Sequence, residues 1–262
     1  MYLFNRFKKK IKFIIGIIFS RKKIHKIPFL IKRIGTEYGG WKIAINNLDG
    51  SRIISCGAGE DISFDVDMAA KYRCKVYIVD PTPRSKKYVE KVLNRIGKKP
   101  EGIYNLKGNP DVFSYDLELI KKDQLVFIKK AIWKESKKLK FFCPKYKKNV
   151  SHSIVNFQNN YRDDSEFIMV DAINFNYILS NYFQVGDVPE ILKLDIEGAE
   201  HEVLEYILKR NILPKQILCE FDELQNGSFR AFKRFNSTNK LLFKNGYKLF
   251  AREQFNFSYI KL

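Results

Sequence analysis

Between Arg52 and Asp80 the chain reads as strand, glycine turn, helix, strand and acid, an order that few folds accommodate. Arg52-Ile53-Ile54-Ser55-Cys56 is a short apolar run, the pattern of a strand buried on both faces. It stops at Gly57-Ala58-Gly59-Glu60-Asp61. A helix is expected over Ser63–Tyr72, because Phe64, Met68 and Tyr72 recur at helical spacing and make one apolar face. Lys75–Val79 is the next strand and ends at Asp80. Two parallel strands joined through a helix form a β-α-β unit with a right-handed crossover. The fold class expected is therefore α/β.

The rest of the chain alternates in the same way. Pro81-Thr82-Pro83 blocks an immediate helix, so the next one is expected over 85–96. Residues 102–119 fit neither period. Strands are expected at 125–128, 131–133 and 139–142, with a polar turn over 134–138. Residues 144–164 are polar and irregular and read as a surface loop or lid. Then follow strand 167–170, helix 174–182, strand 191–195, helix 199–210, strand 216–220, helix 229–244 and a last pair of strands, 248–252 and 257–260. A length of 262 residues suits one α/β domain, 38–262, preceded by a basic and apolar segment, 1–37.

The formal net charge of +19 suits an anionic partner: nucleic acid, a phosphorylated compound or a membrane surface. Lys, Ile, Asn, Phe and Tyr are all frequent, however, as an AT-rich coding sequence would make them. The lysines are also spread along the chain, with short runs at Lys8-Lys9-Lys10, Lys22-Lys23 and Lys145 to Lys148. Compositional drift with general attraction to acidic surfaces is the simpler reading, and no specific nucleic-acid partner is expected. Residues 1–26 mix basic and apolar character. Their apolar core, Phe13 to Phe19, is too short to span a bilayer, and the Ser20-Arg21-Lys22-Lys23 that follows is no signal-peptide cleavage site. The segment is expected either to pack on the core or a partner subunit, or to lie in a membrane interface. Cys56, Cys74, Cys143 and Cys219 form no C-x-x-C pair and have no nearby histidine, so no metal is expected; the pattern suits a reduced, cytoplasmic protein.

Three constellations carry chemistry. The glycine turn allows close approach of a ligand to the backbone and is followed by a helix N-terminus. The full G-x-G-x-x-G pattern is absent, since Ile62 stands where the third glycine belongs, and Glu60 and Asp61 would repel a pyrophosphate. They suit a ligand with a cationic end, such as S-adenosylmethionine. Asp80, 23 residues after Gly57, reads either as a turn aspartate before Pro81 or as an acceptor for ribose hydroxyls, and the glycine turn at this spacing favours the ribose. The third is Leu192 to Glu200, where Asp195, Glu197 and Glu200 cluster between a strand and a helix. Crowded carboxylates raise one another's pKa, so one can act as a base; the other reading is helix capping. Asp195 is favoured for function, Glu197 is open, and His201 is expected on the helix surface.

Gly57 to Asp65, Val79-Asp80-Pro81-Thr82-Pro83, Ala131-Ile132-Trp133 and Leu192 to Glu200, with Tyr38-Gly39-Gly40-Trp41 upstream, resemble the FkbM family of methyltransferases over about residues 38–220. The resemblance implies a Rossmann-like class I methyltransferase fold: a central, mostly parallel seven-stranded sheet, helices on both faces and a C-terminal antiparallel hairpin. It implies S-adenosylmethionine as cofactor and methyl transfer to oxygen, on a sugar, glycan or small-metabolite acceptor. Carried over, Gly57, Ala58, Gly59, Glu60 and Asp61 line the methionine end, Asp80 with Pro81 beside it holds the ribose, and Ala131 and Ile132 border the adenine. Asp195 then lies nearest the transferring methyl, with Glu197 and Glu220 as further candidate bases. Ser55 departs from the wider class I pattern, which has an acid there. Three other readings fit part of the same sequence: a nicotinamide-dependent oxidoreductase, a glycan-cluster protein binding a nucleotide-sugar, and a non-catalytic binding module.

Overall fold

The computed structural model describes residues 2–144, 152–154 and 165–262. In chain order the elements are α1 (Tyr2–Phe19), β1 (Leu30–Ile34), β2 (Trp41–Ile45), β3 (Arg52–Cys56), α2 (Ser63–Tyr72), β4 (Lys75–Val79), α3 (Pro83–Leu93), β5 (Leu125–Ile128), β6 (Ala131–Ile132), β7 (Lys137–Phe142) and β8 (Phe167–Ile173). After these come α4 (Phe175–Tyr182), β9 (Ile191–Leu194), α5 (Glu200–Lys209), β10 (Gln216–Glu220), a 3₁₀ turn (Asp222–Asn226), α6 (Phe229–Lys244), β11 (Tyr247–Glu253) and β12 (Asn256–Lys261). The main sheet has seven strands in the order β11-β12-β10-β9-β3-β4-β5. Strands β3, β4, β5, β9 and β10 pair in parallel, and β12 runs antiparallel to both β10 and β11. This is the Rossmann-like class I methyltransferase layout expected from the sequence.

Side chains of the central strands alternate between two cores. Ile54, Tyr77, Val79, Leu192, Leu194, Ile217 and Cys219 face one side, where Phe175 and Ile178 of α4, Val203, Leu204 and Ile207 of α5, and Phe235 and Leu242 of α6 cover them. Ile53, Val76, Ile78, Ile191 and Leu218 face the other, against Phe64 and Met68 of α2 and Val89 and Val92 of α3. Both faces are covered, which is why these strands read as unbroken apolar runs. The chain order reverses at β3, flanked by β4 on one side and β9 on the other. Open α/β sheets bind ligands outside the carboxyl ends of the strands at such a switch point.

Helix α3 starts at Pro83, two residues before the expected start: Thr82 is extended and proline occupies the first turn, where its missing N–H costs nothing. Residues 102–119 form no regular element, yet Tyr115 and Leu117 are buried. Strand β7 begins inside the expected polar turn because Lys137 and Lys138 pair with Ala172 and Asp171 of β8. The expected lid, 144–164, lies mostly outside the described residues. Its described part includes Ser153, which bridges Phe142 and donates its hydroxyl to the Glu197 carbonyl at 2.5 Å.

The N-terminal segment contributes a hairpin strand that the sequence did not place and a helix packed on the core, one of the two expectations for residues 1–26. Strands β1 and β2 form an antiparallel hairpin that straddles residues 37 and 38. Helix α1 packs on the 3₁₀ turn: the Phe13 ring meets Phe255 edge-on at 5.1 Å, and a Cβ on Gly16 would stand 2.2 Å from the Leu224 carbonyl oxygen. Arg252 closes the end of the helix, donating to the carbonyls of Ser20 (3.1 Å) and Ile17 (3.3 Å) and to the Ser20 hydroxyl (2.7 Å). A cation on the terminal carbonyls of a helix is a favourable C-cap. The opposite face of α1 leaves Phe7, Ile11, Ile14 and Ile18 exposed.

Candidate active site

A cleft of about 770 Å³ opens at the switch point, within the range of about 300–1,000 Å³ usual for small-molecule sites. Its lining includes Gly57, Ala58, Gly59, Glu60, Asp61, Asp80, Pro81, Ala131, Ile132, Asp195 and Glu197, so the structure brings the sequence-derived site residues together.

Gly57 sits where the ends of β3 and β9 touch. Its φ is +89°, and a Cβ there would stand 1.7 Å from the Asp195 carbonyl oxygen. Gly59 also has a positive φ, +52°, but nothing lies within 4 Å of the position its Cβ would take. The first glycine serves strand packing; the second leaves the backbone open to the cleft. Asp80 knots the loops after β3 and β4 together. Its Oδ2 accepts from the amides of Ala58 (2.9 Å) and Gly59 (3.2 Å), and its Oδ1 from the Thr82 amide (2.8 Å) and hydroxyl (2.7 Å). Four donors match the acceptor capacity of a carboxylate. Beside it Val79, Ala131 and Ile132 form an apolar wall of the cleft.

The two acids after the glycine turn have partners of their own. Asp61 is buried, and it accepts from the Thr36 hydroxyl (2.7 Å), the Asn109 amide (3.1 Å) and the Ser63 amide (3.0 Å). Glu60 is ion-paired with Arg84 at 2.6 Å. Asp61 thereby ties the β1–β2 connection and the 102–119 region to the start of α2, a long-range role that the sequence did not reveal.

At the end of β9, Asp195 is anchored by its amide, which donates to the Cys56 carbonyl at 3.0 Å, while its side chain keeps 34% of its surface open. Glu197 takes a left-handed backbone conformation, φ +54°. Glu200 is buried and accepts from the amides of Ile196 and Gly198, both at 2.9 Å, so it caps the turn that presents Asp195 and Glu197. His201 is not on the helix surface as expected. It is buried, stacked on Phe221 with 5.1 Å between centroids, and its Nδ1 lies 2.7 Å from the Thr238 hydroxyl. Burial, and then the charge of Arg234, hold its pKa down to about 3. The cause is the packing of α6 across α5, which covers a position that helical periodicity alone leaves polar.

Three further residues belong to the site. Lys193 is buried within β9; its ammonium donates to the Gly57 carbonyl at 2.6 Å and lies 3.9 Å from Asp195 Oδ2. A lysine inside an otherwise apolar strand was the available signal. Asp222 follows Glu220 by two residues, the spacing that returns a side chain to the same side of an extended chain, and both line the cleft. Burial, and then neighbouring carboxylates including Asp195 and Glu197, push the Glu220 and Asp222 carboxyls well above the usual range. Although much of Tyr38 is exposed, desolvation of its hydroxyl against the cleft, and then the charges of Asp195, Glu220, Glu197 and Asp222, push that hydroxyl up to about 12. It stays a hydrogen-bond donor at neutral pH.

Residues 55–249 match the methyltransferase FkbM domain model. No curated protein matches the sequence. Among solved structures, the precorrin-6y C5,15-methyltransferase of Geobacter metallireducens GS-15 is similar at 9% identity and TM-score 0.38, over 82% of this chain and 86% of that one. The Methanococcus jannaschii fibrillarin pre-rRNA processing protein is similar at 10% identity and TM-score 0.39, over 92% and 84%. M. jannaschii TYW2 in complex with AdoMet is similar at 12% identity and TM-score 0.35, over 92% and 90%.

Proposed function

Because this chain belongs to the FkbM methyltransferase family, with S-adenosylmethionine as its cofactor, we propose that it methylates a hydroxyl oxygen of a sugar, glycan or small metabolite. The observation that carries the oxygen reading is the placement of Asp195: a partly open carboxylate at the switch point, beside the Gly57 turn and backed by further acids. A hydroxyl must lose its proton as it becomes an ether, and a carboxylate at the reacting end can take it.

The cleft fits the cofactor. Open space above Gly59 admits a ligand against the backbone, the apolar wall of Val79, Ala131 and Ile132 suits adenine, and the acidic end suits a cationic group. Pro81, beside Asp80, lines the same wall. In this reading Asp80, its acceptor sites filled by the Ala58, Gly59 and Thr82 donors, fixes the loop that cradles the ribose, while Gly57, Ala58, Gly59, Glu60 and Asp61 shape the methionine end. The cofactor supplies a methyl group on sulfur that is already a good leaving group. The protein's task is then alignment, holding the acceptor oxygen about 3–3.5 Å from the methyl carbon. Asp195 takes the hydroxyl proton, with Glu197 and Glu220 as further candidates. Calorimetry is expected to show binding of S-adenosylmethionine and none of NAD. Methyl-labelled cofactor with a panel of sugars and hydroxylated metabolites is expected to yield a label stable to mild base; label found on carbon or nitrogen would overturn the oxygen assignment.

A peripheral membrane contact through residues 1–26 is a second element of the proposal, supported by the exposed stripe Phe7, Ile11, Ile14 and Ile18 on α1. Such a stripe on a basic helix suits an anionic lipid surface. No helix among the described residues is long and apolar enough to cross a membrane. The intact chain is expected to float with phosphatidylserine vesicles and Ile14→Glu to reduce that fraction; wild-type protein left entirely in the pellet fractions would rule the contact out.

A further inference from the structure

We propose that Asp195, Glu220 and Asp222 bind one divalent, oxygen-preferring cation such as Mg²⁺ or Mn²⁺ in the cleft between the ends of β9 and β10. The oxygens these three residues offer all lie within 4.8 Å of one another. Two ligands on opposite sides of one such ion stand about 4 Å apart, twice a metal–oxygen bond, so side-chain rotations must draw the three carboxylates inward onto it. An all-carboxylate set with no nitrogen or sulfur selects hard cations over zinc or copper.

The state of Asp222 gives an independent reason. Its Oδ1 is held by the Gln225 amide at 2.7 Å, but its Oδ2 is buried with no hydrogen-bond partner. A buried carboxylate oxygen without a donor costs stability unless a proton or a cation meets it. Lys193 lies 3.9 Å from Asp195 Oδ2, and its ammonium already donates to the Gly57 carbonyl.

The cation's role in the reaction rests on the hydroxyl-acceptor reading above. Beside the cation, an acceptor hydroxyl loses its proton more readily. In the transfer the O–H and S–CH₃ bonds break, the O–CH₃ bond forms, the S–CH₃ electron pair stays on sulfur, and the proton passes to a carboxylate oxygen. Asp195 has two oxygens, one for the cation and one for the proton.

Chelator-treated full-length protein, without cofactor or acceptor, is titrated with Mn²⁺ while the paramagnetic resonance signal of the free ion is followed. One Mn²⁺ per chain is expected, displaced by excess Mg²⁺ and weakened at least about tenfold in Asp222→Asn. Glu220→Gln repeats the measurement should the first variant misfold, and Asp123→Asn, on the surface, should bind as the wild type does. Absence of binding at about 1 mM Mn²⁺, or equal affinity in wild type and both cleft variants, overturns the site. Calorimetry with S-adenosylmethionine on the same samples separates the two readings: lost cofactor binding removes the methyl-transfer proposal and leaves the cation result standing, and the reverse also holds.

Discussion

Asp195→Ala is expected to lower turnover by about 10²–10⁴-fold, the usual worth of a positioned acid or base, while S-adenosylmethionine still binds within about tenfold of the wild-type affinity. The backbone at this position is held independently of the side chain, because the Asp195 amide donates to the Cys56 carbonyl and Leu194 stays in register with Cys56. Truncation therefore removes a carboxylate from the reacting end without loosening the glycine turn. It also removes one of several crowded acids, so the folded state is expected to lose no stability and to unfold at a slightly higher temperature. Single-turnover transfer of labelled methyl, calorimetry and thermal unfolding on one preparation check the three parts. Unchanged turnover would move the proton-accepting role to Glu197 or Glu220.

Gly57→Ala should be the most damaging small substitution in the cleft. The added methyl would lie 1.7 Å from the Asp195 carbonyl oxygen, at a φ of +89°. Neither backbone can retreat, because β3 lies hydrogen-bonded between β4 and β9 in the middle of the sheet. Left-handed strain alone costs about 1–3 kcal/mol, and the collision adds to it, so failure to fold or a loss above about 3 kcal/mol is expected. Gly59→Ala is the matched comparison: φ is +52° and the space is open, so the cost should stay near 1–2 kcal/mol. Its effect should fall on cofactor affinity instead, since the methyl projects where a ligand would lie. Chemical denaturation of both variants is the measurement, and equal losses would mean that the strand ends do not approach as closely as described.

The central β-α-β unit was legible because each of its signals is local. Strands β3, β4 and β10 and helix α2 occupy the residues that periodicity assigned, and the seven-stranded layout follows the resemblance carried by Gly57 to Asp65 and Leu192 to Glu200. Elsewhere the structure departs from the local pattern. Pro83 opens α3 instead of delaying it, because proline suits a first turn. His201 is buried because α6 covers α5, which helical spacing does not reveal.

The amino-acid order by itself determined the strands and helices of the central sheet, where the glycine turn falls and which acid follows it, since these depend on side-chain period and backbone freedom within a few residues. Only the tertiary structure decided that Asp61 would be tied to Thr36 and Asn109, that α1 would pack on the turn carrying Asp222, and that Asp195, Glu220 and Asp222 would converge. Those outcomes depend on which strands lie side by side and which way their ends point. That is set by burying distant apolar surfaces together, and no local pattern in the chain encodes it.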